Sequence, residues 1–115
     1  MRVLVCGGRT YNDHQRVRAV LGKLHREVGI LCLIQGGAKG ADLHASSWAT
    51  MNHVMQEVYE ADWENQGSFA GPARNKRMLD EGKPDLVIAF PGGRGTADMC
   101  RKARRAGVAV VEISP

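Results

Sequence analysis

Short apolar runs alternate with stretches of helical period along the whole chain. The runs are Arg2–Cys6, 30–35, 54–59, 85–90 and 108–113. Every connection between them is much longer than a hairpin turn, and each holds enough residues for a helix. Strands joined this way pair in parallel, because a parallel pair needs a crossover of a dozen or more residues. Such crossovers are right-handed in nearly all known sheets. The pattern therefore predicts one parallel sheet of five strands with helices between them.

The helical stretches carry start and stop signals. Asn12 or Asp13 caps a first helix in which Val17, Val20, Leu21, Leu24 and Val28 recur at helical spacing, and Gly29 stops it. A second helix covers about 39–52, with Ala41, Ala45, Trp48 and Ala49 on one face. Residues 60–70 show no clear period and are expected to form a loop. Pro72 fits the first turn of a third helix that ends near Gly82. A fourth helix covers 96–106 and stops at Gly107. Five strands and four helices in strict alternation give an α/β fold, a Rossmann-like three-layer sandwich, as a single domain over residues 1–115.

Composition sets the outer limits. A chain of 115 residues suffices for one core. No apolar run approaches the ~20 residues needed to cross a bilayer, and the opening run is too short for a signal-peptide core. The expectation is a cytoplasmic protein with no membrane partner. Cys6, Cys32 and Cys100 form no C-x-x-C pair and sit in apolar patterns, so each reads as a buried small hydrophobe rather than a zinc ligand or half of a disulfide. The net charge of +4 permits anionic partners, either small molecules or nucleic acid.

Function is written in the turns. Gly7-Gly8-Arg9 follows the first run, Gly36-Gly37-Ala38-Lys39-Gly40-Ala41-Asp42 the second, and Pro91-Gly92-Gly93-Arg94-Gly95-Thr96 the fourth. In a parallel sheet all three lie at the carboxyl ends of strands, the edge where open α/β sheets bind ligands. Backbone N–H groups free of bulky side chains, with a cation in each turn, suit a phosphate-bearing ligand. The candidate ligand-binding residues are Gly8, Arg9, Gly36, Gly37, Lys39, Gly40, Asp42, Asn75, Gly92, Gly93, Arg94, Gly95 and Thr96. Asp42 suits either a ribose hydroxyl or the start of its own helix, and Thr96 either a helix cap or a phosphate oxygen. Arg74 is a candidate anion clamp, since guanidinium binds phosphate through two parallel hydrogen bonds. Asp98 is the one carboxylate near the fourth-strand turn, suited to catalysis or to a helix start. Tyr11, Trp63 and Phe69 lie near the same edge, where a ring can stack on a base or cover the core. The basic run 101–105 falls at a helix C-terminus, which explains it without a ligand, and is expected away from the glycine-rich edge. The four histidines show no ligand spacing. Neither the Walker A pattern nor G-x-G-x-x-G occurs, so no standard cofactor fingerprint is present.

Taken together, the GGR turn, QGGAKGAD, AGPARN and PGGRGTADM resemble the YspA/YpsA-related branch of the SLOG superfamily, over nearly the whole chain. The superfamily has a Rossmann-like fold and includes the Lonely Guy phosphoribohydrolases and the DprA proteins. In Lonely Guy enzymes an Arg precedes a P-G-G-x-G-T-x-x-E motif, and that Arg and Glu serve hydrolysis of a nucleoside monophosphate's N-glycosidic bond. Arg74 is similar to that Arg, but Met99 stands at the place of the Glu. A thioether neither stabilises an oxocarbenium-like centre nor activates water, so hydrolysis would fall to Asp98. The segment 37–42 is similar to one with which DprA proteins hold single-stranded DNA, with Ser46 where that segment usually carries a His. The resemblance also implies homodimerisation. Three functions follow as expectations: binding or sensing of a nucleotide or nucleotide-derived ligand such as ADP-ribose; N-glycoside cleavage through Arg74 and Asp98; and binding of single-stranded DNA.

Overall fold

The structure, a computed structural model, describes residues 1–115. The elements in chain order are β1 (Arg2–Cys6), α1 (His14–Val28), β2 (Cys32–Gln35), α2 (Ala41–Met51), β3 (Met55–Val58), α3 (Trp63–Gln66), a 3-10 turn (Gly67–Phe69), α4 (Ala70–Gly82), β4 (Leu86–Ala89), α5 (Arg94–Arg105) and β5 (Ala109–Glu112). All five strands are parallel, in the order β3-β2-β1-β4-β5.

The two-residue period of the strands divides the core. Val3, Val5, Leu33, Ile88 and Phe90 face α1 and α2, together with Val17, Leu21, Ala45 and Trp48. Leu4, Cys6, Cys32, Ile34, Val87 and Ala89 face α4 and α5, together with Met78, Met99, Cys100 and Ala103. All three cysteines are buried free thiols. Helices on both faces explain why the strands read as continuous apolar runs rather than alternating ones. No helix is long and apolar enough to cross a membrane.

One element departs from expectation. Residues 60–70, expected as a loop, contain α3 and the 3-10 turn. The Asp62 carboxylate caps α3 by accepting from the Asn65 N–H at 3.3 Å, so a local side-chain cap supplies order where no hydrophobic period exists. The chain thus has one more helix than its periodicity reveals.

The strand order places the candidate site. Successive crossovers run outward in one direction from β1 to β3, then return to β4 on the other side of β1. The reversal leaves a crevice beyond the carboxyl ends of β1 and β4, the switch point where such sheets bind ligands.

Candidate functional site

A cavity of about 1010 Å³ occupies that crevice. Its floor is the turn after β1 and the turn after β4, joined where the Gly8 N–H donates to the Pro91 carbonyl at 2.9 Å. Glycine is required at this junction. A Cβ on Gly92 would stand 2.2 Å from Thr96 Oγ1 and 2.7 Å from the Gly8 nitrogen. Residues 68–75 and 94–101 form two further walls, the latter on α5.

The turn after β4 is open to a ligand. No N–H from Gly92 to Thr96 donates to any protein acceptor, and no side chain caps α5 at Gly93. These are the orphan donors of a twelve-residue helix, and its dipole adds partial positive charge there. Gly92, Gly93, Arg94, Gly95 and Thr96 all line the cavity. Arg94 and Arg9 form no ion pair with any carboxylate of the chain.

The turn after β2 has similar sequence grammar but is closed on itself. Asp42 is buried, and its Oδ2 accepts from the Gly36 and Ala38 N–H groups at 3.2 and 3.3 Å. Gln35 Oε1 accepts from the Gly37 N–H at 2.6 Å, and the Gly8 carbonyl accepts from the Ala41 N–H at 3.2 Å. Asp42 thus holds the turn that precedes its helix rather than capping the helix itself, and it also lines the large cavity. Burial raises the Asp42 pKa, opposed by the Ala38 N–H, by the charge of Arg74 and by the Gly36 N–H. Gly40 has φ +75° and lies against the first turn, where a Cβ would meet the Gly8 carbonyl oxygen at 2.2 Å. Gly36 lies under Arg74, whose Nη1 donates to its carbonyl at 2.8 Å. Gly36 and Gly40 thus pack turns together, and neither lines the large cavity.

A polar hub joins the helices. Asn75 is buried and spends its whole amide: Oδ1 accepts from Arg74 Nε at 3.1 Å, and Nδ2 donates to the Gly95 carbonyl at 3.1 Å and to Asp98 Oδ2 at 3.0 Å. It positions Arg74, Asp98 and the start of α5 rather than offering a free group. Asp98 also accepts from Lys102 Nζ at 2.7 and 2.6 Å. Partial burial works against its charge, but the bonds from Lys102 and Asn75 prevail and hold its pKa below the usual carboxylate range. It stays ionised at neutral pH and has no proton to give. Met99 is fully buried among Leu4, Met78 and Ala103 and does not line the cavity, whereas Asp98 does. Contact with the Cys100 thiol, and burial, push the Cys6 thiol well above its usual range, so the one cysteine lining the cavity is no nucleophile at neutral pH.

The rim mixes cations and rings. Arg9 stacks over Trp63 at 5.1 Å, and both line the cavity. Tyr11 leans on Phe90 with ring centroids 5.5 Å apart and so covers the core as well as the site. Phe69 is highly exposed and does not line it. Lys39 lies outside, in a second cavity of about 530 Å³ that shares Arg9, Ala38, Trp63 and Arg74 with the first. Arg101 corrects the expectation for the basic run, since it lines the large cavity. Positions 94, 98 and 101 share one face of α5, so the helical spacing joins Arg101 to the candidate residues Arg94 and Asp98. No group of three His, Cys, Asp or Glu side chains is placed to hold a metal ion.

Comparison with known proteins agrees with this architecture. A family model described as the YspA, cpYpsA-related SLOG family matches residues 1–66. The "Gene 61 protein" of Mycobacterium phage D29 is 40% identical over 120 residues, which cover 97% of this chain and 95% of that protein. The solved structure of DNA processing protein A (DprA) from Streptococcus pneumoniae superposes with a TM-score of 0.55 at 21% identity, over 96% of this chain. The chain spans 58% of the length of that DprA chain. The chain belongs to the YspA, cpYpsA-related SLOG family.

Proposed function

We propose that this SLOG protein binds a nucleotide or nucleotide-derived ligand in the large cavity, with a phosphate seated on the turn 92–96. One observation carries the reading. A row of unpartnered backbone N–H groups at the start of α5 opens onto a crevice-sized cavity bordered by Arg9, Arg94 and Arg101. Phosphate is the group that such a helix start binds best. Arg74 is held over the same space by Asn75 and the Gly36 carbonyl, ready to present a planar donor to an anion. Trp63 and Tyr11 offer ring faces for a base. Titration calorimetry with AMP and ADP-ribose at low salt tests the reading: binding is expected, weakened at least tenfold in Arg94→Ala and in Arg74→Ala. Absence of heat with both ligands would remove it.

A second reading, cleavage of the N-glycosidic bond, rests on Asp98 facing the cavity while ionised at neutral pH. A fixed carboxylate stabilises a cationic sugar centre, while water adds at C1′ and the base departs with a proton. It predicts free base from AMP, with loss of turnover in Asp98→Asn. Single-stranded DNA, made of the same phosphates, is the third reading, favoured by the likeness of segment 37–42 to one in DprA proteins and by fold likeness to a protein named for DNA processing. It predicts an affinity for oligonucleotides that falls steeply with salt.

A further inference from the structure

We infer that the ligand carries two separated phosphate groups, as in a 5′-phosphorylated dinucleotide, and that the second cavity takes the second of them. The inference rests on the nucleotide reading above and concerns the part of the site that a mononucleotide leaves unused.

The second cavity adjoins the first across a shared wall of Arg9, Ala38, Trp63 and Arg74. Its remaining lining is Gly36, Gly37, Lys39, Glu60 and Ala61. Three of its nine residues are cations, and none of the three forms an ion pair. Arg74 donates only to the neutral oxygens of Asn75 and Gly36, so its charge is positioned but not spent on a carboxylate contact. Arg9 is held across the wall by its stack on Trp63. Arg9 and Arg74 therefore border the two cavities at once, which suits a linkage passing along them. Lys39 belongs to the second cavity alone.

Size points the same way. Pockets for compact ligands run from roughly 300 to 1,000 Å³. The large cavity already reaches the top of that range at about 1010 Å³, and the second lies beside it with about 530 Å³. One nucleoside monophosphate placed with its phosphate at the turn 92–96 leaves Lys39 without a partner. The turn after β2 uses the N–H groups of Gly36, Gly37 and Ala38 internally, so charge here comes from side chains rather than backbone donors. Glu60 is the one carboxylate lining this cavity, and its oxygens suit ribose hydroxyls next to the phosphate.

Calorimetry with AMP and the dinucleotide pApA, on the wild-type chain and on Lys39→Ala and Lys39→Arg, tests the inference. Lys39 is exposed, so both variants are expected to fold. Wild type should bind pApA at least tenfold more tightly than AMP. Lys39→Ala should bring that ratio close to one, and Lys39→Arg should retain most of it. Equal affinity for the two probes in wild type, or an unchanged ratio in Lys39→Ala, overturns the second subsite while leaving the nucleotide reading standing. Failure of both probes to bind wild type overturns the nucleotide reading and this inference with it.

Discussion

Replacing Asp42 with Ala separates a structural latch from a ligand contact. Asp42 is 6% exposed, and Oδ2 is the acceptor for two backbone donors, Gly36 N–H and Ala38 N–H. Alanine removes that acceptor. Leaving a buried donor unpaired costs about 1–3 kcal/mol, but Ala38 is only half-buried, so water restores part of its bond. Removing a carboxylate whose charge burial disfavours returns some of the loss. The net expectation is a destabilisation of about 2 kcal/mol, a sizeable part of the ~5–15 kcal/mol by which such domains are stable. Asn at position 42 keeps an oxygen in place without the buried charge, and should cost about 1 kcal/mol or less. Urea unfolding followed by circular dichroism reads both values from the midpoint at constant slope. A midpoint in Asp42→Ala within about 0.5 kcal/mol of wild type, the range of ordinary surface changes, would show that the latch does not hold the turn.

Three further outcomes follow. Gly95→Ala adds a Cβ with nothing within 4 Å inside α5; it should raise stability by about 0.5–1 kcal/mol yet weaken AMP binding, and a gain in both would remove phosphate from this turn. Trp48 is buried and Trp63 lines the cavity under Arg9, so AMP should shift the fluorescence of Trp63; an undiminished signal in Trp63→Phe would contradict the placement. Glu57 has its pKa lowered, chiefly by the hydrogen bond from Arg2 at 2.7 Å. Its folded-state pKa therefore lies below its unfolded one, so its contribution to stability is full above the ordinary value of 4.5 and disappears as pH falls through the lowered value. Acid titration of stability should be shallower in Arg2→Ala, and identical slopes would refute the pairing.

The fold was legible because periodicity and turn chemistry agreed at every strand. The first strand was read at its observed bounds, and the others within two residues at either end. α3 escaped because a four-residue helix has no period to show, and only Asp62 three residues before Asn65 marks it. The site was legible as a place but not as a set of contacts. The carboxyl edge of the sheet followed from the glycine-rich turns, whereas the switch point within it depends on the strand order. That Asn75 is spent within the fold, and that Arg101 reaches the cavity while Lys39 does not, depends on which face of a helix or turn each side chain occupies. A residue type suited to a ligand is equally suited to the protein's own backbone.

The two glycine-rich turns make that point in chemical terms. Both put N–H groups at a strand's carboxyl end, ahead of a helix. The difference lies in acceptors. Gln35 and Asp42 sit at either end of that turn and take its donors, whereas Pro91 and Thr96 flank the other without taking any. A turn that satisfies its own donors gains rigidity and loses its pull on phosphate. The self-satisfied turn in turn fixes the Gly36 carbonyl, which holds Arg74, which shares Asn75 with the start of α5. The closed turn thus supports the open one: it is the fixed base from which Arg74 is set beside the proposed phosphate seat. The same hub accounts for the offset at positions 98 and 99, since Asn75 and Lys102 hold Asp98 toward the cavity and the adjacent Met99 is thereby turned into the core. A carboxylate is present at the site, but in a position and ionisation state suited to stabilising positive charge rather than donating a proton.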